Sequence, residues 1–277
     1  MPRPSKKPRK KTRKKTSGVR VTARVIPAFD SWREISGRVR AAKNIALFLD
    51  FDGTLVDFCS RPELVTLSAR TEVALQKLAD HKSVRVAIVS GRRQASVLQF
   101  VTTPRISIHG LYGWENEKGV RLSAKTAGKI SEARAVLATL PDKAPGIFIE
   151  EKGASLAVHF REASAQSQRH ACAELRKLIA RLRPHLKIIQ AANVWEVAPV
   201  HVQGKGPAVR KMVRELGAAF LPIYVGDDLT DEPAFRALRR KGITILVGSR
   251  RPTSAHFSLL HPAQVAVFLE RLERVLP

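Results

Sequence analysis

Two aspartates, Asp50 and Asp52, stand directly after the short apolar run Ile45–Leu49. Such a run is typical of a buried strand, and open α/β sheets bind ligands beyond the carboxyl ends of their strands. Two carboxylates in this position can divide the work, one as nucleophile or metal ligand and the other exchanging protons. Gly53 permits a sharp turn, and Thr54 offers a hydroxyl and a backbone N–H to an oxyanion. The same pattern also occurs in ordinary turns, so it needs support from elsewhere in the chain.

Groups suited to phosphate binding stand at two further places. Ser90, Gly91 and Arg92 follow the apolar run Val84–Val89. A hydroxyl, an unhindered backbone N–H and a guanidinium can together bind phosphate. Lys205 lies between two glycines and can neutralise phosphate as a point charge. Each match is weak alone, because Ser-Gly is a common strand exit and most lysines of a basic chain are solvated.

An acidic cluster follows another apolar run, Leu221–Val225. It places four carboxylates in six residues, namely Asp227, Asp228, Asp231 and Glu232. In a protein of formal net charge +25, this concentration of negative charge argues for a bound cation, and hard oxygen ligands suit Mg²⁺. Asp231 and Glu232 can equally cap the helix that begins near Pro233. We expect part of the cluster to bind metal and part to serve as a cap.

Apolar runs alternate with helical patterns along the chain, which favours an α/β fold with a doubly wound parallel sheet. The predicted core strands are Ile45–Leu49, Val84–Val89, Arg105–Ile108, Leu221–Val225 and Ile243–Val247. Residues 116–198 have an alternation of their own, with helices predicted at Thr126–Leu140 and Ala165–Leu182. We therefore expect a core from residues 40–115 and 199–277, with residues 116–198 inserted as a smaller α/β domain.

The chain has 277 residues, with 49 Lys or Arg against 24 Asp or Glu. Ten of the basic residues and no acidic one lie in residues 1–20. We expect residues 1–25 to form a disordered basic tail, suited to non-specific polyanion binding or left as a solvated extension without a partner. Two cysteines cannot build a disulfide framework, and no apolar run reaches the ~20 residues of a membrane helix. We expect a monomer in the cytoplasm, with no membrane association.

Read in order, the motifs DFDGT, SGR, KG and GDDLTDE resemble those of the haloacid dehalogenase-like (HAD) phosphohydrolases, whose core is Rossmann-like. The finer resemblance, over roughly residues 40–275, is to trehalose-6-phosphate phosphatases. It rests also on His109-Gly110, on residues 150–161, on Glu196–Pro199 and on Gly226–Phe235. Phe51 stands where the family often has Tyr, and the basic tail has no counterpart in the motif pattern.

The resemblance implies a Mg²⁺-dependent phosphatase that works through an aspartyl-phosphate. Asp50 would attack phosphorus, while Asp52 would protonate the leaving sugar oxygen and then take a proton from water. The metal would be held by Asp50, by the main-chain carbonyl of Asp52 and by Asp227. Asp228 and Asp231 could also ligate the metal, directly or through water.

The resemblance also implies which residues bind the substrate. The phosphate would be held by groups at the ends of the core strands: Thr54, Ser90, Gly91, Arg92 and Lys205. The inserted domain would act as a cap, and its sugar-binding groups would be Glu150, Lys152 and Glu196. The alternative for these three is ordinary surface charge on strand ends.

We expect trehalose 6-phosphate to be hydrolysed to trehalose and phosphate, as in trehalose biosynthesis. One alternative is another sugar-phosphate phosphatase of the same superfamily, of the sucrose-phosphate or mannosylglycerate-phosphate type. A different class is a nucleic-acid-associated binding protein that uses the basic tail. Every catalytic position is intact, which a pure binding module would not require.

Overall fold

The computed structural model describes residues 25–59, 62–115, 119–191, 193–248 and 251–276. The predicted basic tail therefore lies, except for Val25, outside the described residues. In chain order the strands are β1 (Ile26–Pro27), β2 (Asn44–Leu49), β3 (Val84–Val89), β4 (Ile106–His109), β5 (Phe148–Glu151), β6 (Leu156–His159), β7 (Leu186–Gln190), β8 (Val194–Pro199), β9 (Phe220–Gly226), β10 (Ile243–Val247) and β11 (Phe257–Leu259).

The helices begin where the sequence supplies caps. Ser68, Ser123 and Ser164 each accept a hydrogen bond from a backbone N–H three residues later, as N-cap residues do. In chain order the helices are α1 (Trp32–Arg40), α2 (Ala69–Asp80), α3 (Gln94–Leu98), α4 (Ala124–Leu137), α5 (Leu140–Lys143), α6 (Ala165–Leu182), α7 (Lys205–Leu216), α8 (Glu232–Leu238) and α9 (Pro262–Glu273). None of the helices in the described ranges is long and apolar enough to cross a membrane.

The larger sheet has seven parallel strands in the order β1-β11-β10-β9-β2-β3-β4. The chain proceeds from β2 towards one side of the sheet and from β9 towards the other. The order therefore changes direction between β2 and β9, and a ligand-binding crevice is expected beyond the carboxyl ends at such a point.

Helices cover both faces of this sheet. Leu47 of β2 belongs to a buried apolar cluster that includes residues of α1, α2 and α9, whereas the adjacent Phe48 belongs to a second cluster with α7 and α8. Successive strand residues point to opposite faces, so a strand buried on both sides reads as a continuous apolar run. The predicted doubly wound α/β core is confirmed.

The smaller sheet is antiparallel, in the order β5-β6-β8-β7, and α4, α5 and α6 pack on one face of it around a separate apolar cluster. It lies between β4 and β9 in the chain, as the predicted insertion does. The helix predicted at Thr126–Leu140 is divided, since α4 ends at Leu137 and α5 begins at Leu140. The core also includes β1 and α1, which precede residue 40, because β1 pairs with β11 and α1 contributes Ile35 and Val39 to the core.

Candidate active site

Asp50 and Asp227 meet where the strand order changes direction. β2 and β9 are neighbours, and the Asp50 N–H donates to the Val225 carbonyl at 2.9 Å. One carboxylate oxygen from each of Asp50, Asp227 and Asp231 lies within 4.8 Å of the others. Burial raises the pKa of Asp50 from 3.8 to about 7, against the opposing attraction of Lys205. Carboxylates forced together out of water are typical of sites that bind cations or transfer protons.

Lys205, the first residue of α7, is only 2% exposed. Its Nζ lies 2.7 Å from Asp50 Oδ1 and 2.8 Å from Asp231 Oδ1. Burial disfavours the ammonium, but the carboxylates of Asp231 and Asp50 outweigh that effect and raise the pKa of Lys205. The site therefore contains a fixed positive charge beside the predicted nucleophile.

Asp231 has both carboxylate oxygens engaged. Oδ1 accepts from Lys205 Nζ and from the Tyr224 hydroxyl, and Oδ2 accepts from the backbone N–H groups of Asp227 and Asp228. Asp228 in turn caps the short 3₁₀ turn Leu229–Asp231. Asp231 makes no side-chain capping bond at the start of α8, so the predicted cap of that helix is wrong for Asp231; its side chain instead positions Lys205 and the loop that carries Asp227.

Asp227 differs, because its Oδ1 is buried and has no hydrogen-bond partner among the described residues. Burial, followed by the negative charge of Asp50, raises the pKa of Asp227 well above its usual range. Gly53 makes room here, since its φ is +76° and a Cβ would lie 2.5 Å from Asp227 Oδ2. An enclosed carboxylate oxygen without a partner, facing a second carboxylate, fits a hard divalent cation.

Asp52 and Arg92 form a bidentate pair across the same crevice. Arg92 Nε and Nη2 donate to the two carboxylate oxygens of Asp52 at 2.7 and 2.6 Å. The guanidinium also lies over the ring of Phe51, 5.3 Å from its centroid. Ser90 Oγ accepts a hydrogen bond from the Arg92 backbone N–H at 3.1 Å, and this bond shapes the loop that carries Ser90 and Arg92.

The smaller sheet, with the helices packed on it, is here called the cap, and Glu150 and His159 on one face of this sheet line the crevice. Glu150 lies opposite Ala157, and Ala157 lies opposite Glu196, so the three share a face of the smaller sheet. His159 is two residues from Ala157 and lies on the same face. Its Nε2 is 2.9 Å from Glu150 Oε2. Burial opposes ionisation of Glu150, but His159 and Lys152 outweigh it, and the pKa of Glu150 is lowered.

Lys152, in the turn after β5, contacts both halves of the molecule. Its Nζ donates to the Gly91 carbonyl of the core at 2.9 Å and to Glu196 Oε2 at 3.1 Å. Glu196 also accepts from the Tyr112 hydroxyl at 2.9 Å and from Ser155 Oγ at 2.6 Å. Glu196 is only 1% exposed. It therefore holds Lys152 in place, and it does not line the cavity.

Core and cap enclose a cavity of about 490 Å³. Thr54 is fully buried and outside its lining, and its Oγ1 has no hydrogen-bond partner among the described residues. Apart from Thr54 and Glu196, the predicted site residues line the cavity: Asp50, Asp52, Ser90, Gly91, Arg92, Glu150, Lys152, Lys205 and Asp227. A cavity of this size is within the range of small-molecule sites.

Several cavity residues were not predicted. The Arg161 guanidinium of the cap lies 5.3 Å from the ring centroid of Phe58, so an aromatic–cation contact spans the cavity mouth. Leu111 and Tyr112 have φ of +48° and +62°, a strained conformation that brings the Tyr112 hydroxyl to the cap. Neither feature has a local sequence signature, because each depends on a contact between core and cap.

The family model for trehalose-phosphatase matches residues 48–263. A probable trehalose-phosphate phosphatase 4 of Oryza sativa is 32% identical over 88% of this chain and 70% of its own length. A trehalose-phosphate phosphatase of Mycobacterium marinum is 34% identical over 82% of this chain and 61% of its own length. This chain thus spans between three fifths and three quarters of these relatives.

Solved structures agree with these matches. The C-terminal domain of a Candida albicans trehalose-6-phosphate phosphatase superposes with a TM-score of 0.79 at 21% identity, over 91% of this chain and all of that chain, which supports the fold. An Aspergillus fumigatus trehalose-6-phosphate phosphatase superposes with a TM-score of 0.61 at 27% identity, over 90% of this chain and 99% of that chain.

Proposed function

Since the chain belongs to the trehalose-phosphatase family, a family of phosphatase enzymes, we propose that it hydrolyses trehalose 6-phosphate to trehalose and phosphate. One observation carries the proposal: a core half with Asp50, Asp227 and Lys205 faces a cap half with Glu150 and Lys152 across a single cavity. The core half suits any phosphomonoester. The cap half supplies hydrogen-bonding groups for a sugar.

Asp50 is the nucleophile of the proposal. Lys205 holds its Oδ1 at 2.7 Å, which fixes the orientation of the carboxylate and places positive charge beside the reacting phosphoryl group. Attack on phosphorus forms an aspartyl-phosphate as the bond to the sugar oxygen breaks. Water then attacks the phosphorus of this intermediate, which releases phosphate and restores Asp50.

Asp52 is the proposed general acid and base. It protonates the leaving sugar oxygen in the first step and accepts a proton from water in the second. Both of its oxygens are bound to Arg92 in the structure. A phosphate dianion is a competing partner for that guanidinium, since Arg binds phosphate in the same two-pronged manner. Arrival of substrate would thereby release Asp52 for proton transfer.

Mg²⁺ is the proposed cation, held by Asp50, Asp227 and the main-chain carbonyl of Asp52. When bound, it binds a phosphoryl oxygen and reduces the repulsion between Asp50 and the incoming dianion. The unpartnered Asp227 Oδ1 supports this assignment. Asp231 is not among the proposed ligands, because its oxygens are engaged by Lys205, Tyr224 and two backbone N–H groups.

Sugar recognition is proposed for the cap. Glu150 and Lys152 line the cavity and can accept from and donate to hydroxyl groups, while Glu196 acts by positioning Lys152. Ser90, Gly91 and Arg92 are proposed to bind phosphate, and Thr54 remains a prediction for that role.

We propose a cap of residues 116–198 on a core of 199–277 and 40–115, extended by residues 26–39. The free thiols of Cys59 and Cys172 are compatible with the expected cytoplasmic monomer.

Phosphate release with Mg²⁺ should be measured on trehalose 6-phosphate, sucrose 6-phosphate, mannosylglycerate phosphate and p-nitrophenyl phosphate. Preference for trehalose 6-phosphate is expected, and equal rates on all four would contradict the disaccharide assignment. Asp50→Asn should abolish turnover. Asp57→Asn, which makes the same change at an exposed position of the same loop, should not. Substantial turnover by Asp50→Asn would remove Asp50 from the nucleophile role.

A further inference from the structure

We infer that the edge of the large sheet opposite the active site binds the phosphate backbone of duplex nucleic acid. All seven strands are parallel, so their amino ends lie along one edge and their carboxyl ends, with the catalytic aspartates, along the other. The segments that lead into β2, β3, β4, β9 and β10 therefore lie side by side. Those segments are 38–44, 80–85, 102–106, 214–220 and 239–243.

These five segments, here called the amino-edge strip, are strongly basic. They contain two acidic residues, Asp80 and Glu215, against ten basic ones: Arg38, Arg40, Lys43, Lys82, Arg85, Arg105, Arg214, Arg239, Arg240 and Lys241. The net charge of the strip is 10 − 2 = +8, and the net charge of residues 1–20 is +10. Of the net charge of +25, only 25 − 8 − 10 = +7 belongs to the rest of the chain.

The described part of the chain begins at this same edge. β1 is parallel to β11, so its first residue, Ile26, lies at the amino edge, away from the catalytic crevice.

Helix ends explain only part of this pattern. Basic side chains are favoured near helix C-termini, which accounts for Arg38, Arg40 and Arg214. Lys43, Lys82, Arg85, Arg105 and Lys241 lie beyond the last helical turn or within a strand. The positive potential acts on a neighbouring residue: His256, just before β11, has a pKa lowered by partial burial and then by Arg239 and Arg38.

The shape of the strip favours a rod-like polyanion. Neighbouring strands are about 4.8 Å apart, so the five strands of the strip span roughly 19 Å, a little over half a turn of a DNA duplex. Seven of its ten basic residues are Arg, which suits phosphate. The exposed aromatic side chains of the described residues, Phe58 and Phe148, lie outside it, so base stacking on single strands has no platform there.

The test measures binding of a labelled 20-base-pair duplex by fluorescence anisotropy between 50 and 200 mM salt. The strip variant combines Lys43→Gln, Lys82→Gln and Lys241→Gln. The control combines Lys125→Gln, Lys143→Gln and Arg169→Gln on exposed cap positions and removes the same charge. A third protein lacks residues 1–20. Thermal unfolding of each variant verifies that it is folded, and the readout does not depend on phosphatase turnover.

Each lost phosphate contact lowers the slope of log K against log salt by about 0.9, so the strip variant should lose about 2 to 3 and the control less than 1. Deleting residues 1–20 should weaken binding and leave a salt-dependent remainder. Equal slopes for strip and control variants would overturn the inference, as would loss of all binding on deletion of residues 1–20. Tighter binding of phosphatidylserine vesicles than of the duplex would also overturn it, in favour of a membrane surface.

Discussion

Replacing Asp227 with asparagine should make the metal-free protein more stable while abolishing its phosphatase activity. Asp227 is enclosed beside Asp50, and its pKa is raised well above the usual range. In the absence of a cation, folding therefore favours the protonated form of Asp227, whereas the unfolded chain ionises this carboxyl freely at neutral pH. Asparagine carries a hydrogen-bond donor in the same place without that requirement.

The magnitude follows from linkage between protonation and folding. A carboxyl whose pKa is raised on folding destabilises the fold by about 1.4 kcal/mol for each pKa unit of the rise, at any pH above both values, and the full rise sets the upper bound of the effect. Water entry and side-chain relaxation reduce this upper bound, and we expect at least about 1 kcal/mol to be measured. For a chain of this size, that raises Tm by about 2–4 °C.

The assay is thermal unfolding in EDTA and in Mg²⁺, with phosphate release measured in parallel. Wild-type protein should gain stability from Mg²⁺, whereas Asp227→Asn should start higher, gain little and show no turnover. Asp228→Asn removes the same charge one residue later, where the side chain caps a turn, and should not raise Tm. A Tm for Asp227→Asn below that of wild type in EDTA would refute the reasoning, as would an undiminished response to Mg²⁺.

Three further outcomes are expected. Asp231→Asn should lower the free energy of unfolding by about 3–5 kcal/mol in urea titrations, because it breaks a buried pair with Lys205; a loss below 1 kcal/mol would contradict its positioning role. Glu196→Gln should lower kcat/KM on trehalose 6-phosphate by one to two decades through misplacement of Lys152 and change p-nitrophenyl phosphate hydrolysis less; equal losses would point to general damage. The Tm of the metal-free protein should fall as the pH is raised from about 5 to 7, because the pKa of Asp50 rises from 3.8 to about 7 on folding and the native state binds more protons in that range. Added Mg²⁺ should suppress this fall. A Tm that rises with pH over the same range would contradict the raised pKa of Asp50.

The core of the fold could be predicted because its strands are buried on both faces. β3 and β10 have the predicted bounds, since a continuous apolar run marks each of them, and α6 begins and ends where its periodicity does. β1 and β11 are two and three residues long, too short for any periodic signal. They exist because β1 pairs with β11 and β11 pairs with β10, a long-range effect that no local pattern records.

The meeting of Asp50 and Asp227, the candidate catalytic and metal-binding groups, was predictable for the same reason. Parallel strands bring their carboxyl ends to one edge, so Asp50 and Asp227 had to approach each other. The partners of each side chain were not predictable. Arg92 was predicted to bind phosphate, which stays a prediction, and its bidentate contact with Asp52, 40 residues earlier in the chain, had no signal in the sequence. From the sequence, Asp231 could be a metal ligand or a helix cap. In the structure its four hydrogen bonds go to Lys205, Tyr224 and the backbone N–H groups of Asp227 and Asp228, a positioning role that the sequence does not indicate.

The contact between cap and core also limits how far phosphate chemistry and sugar recognition can be separated. Lys152 has three N–H donors, and within the described residues one is bound to the Gly91 carbonyl and one to Glu196, which leaves one for a substrate hydroxyl. Gly91 belongs to the loop that orients Arg92, so the lysine proposed to bind sugar is hydrogen-bonded to the loop proposed to bind phosphate. A sugar that engages Lys152 therefore stabilises the arrangement of that loop. Binding energy from the non-reacting part of the substrate can in this way contribute to positioning at phosphorus, as catalysis by differential binding requires.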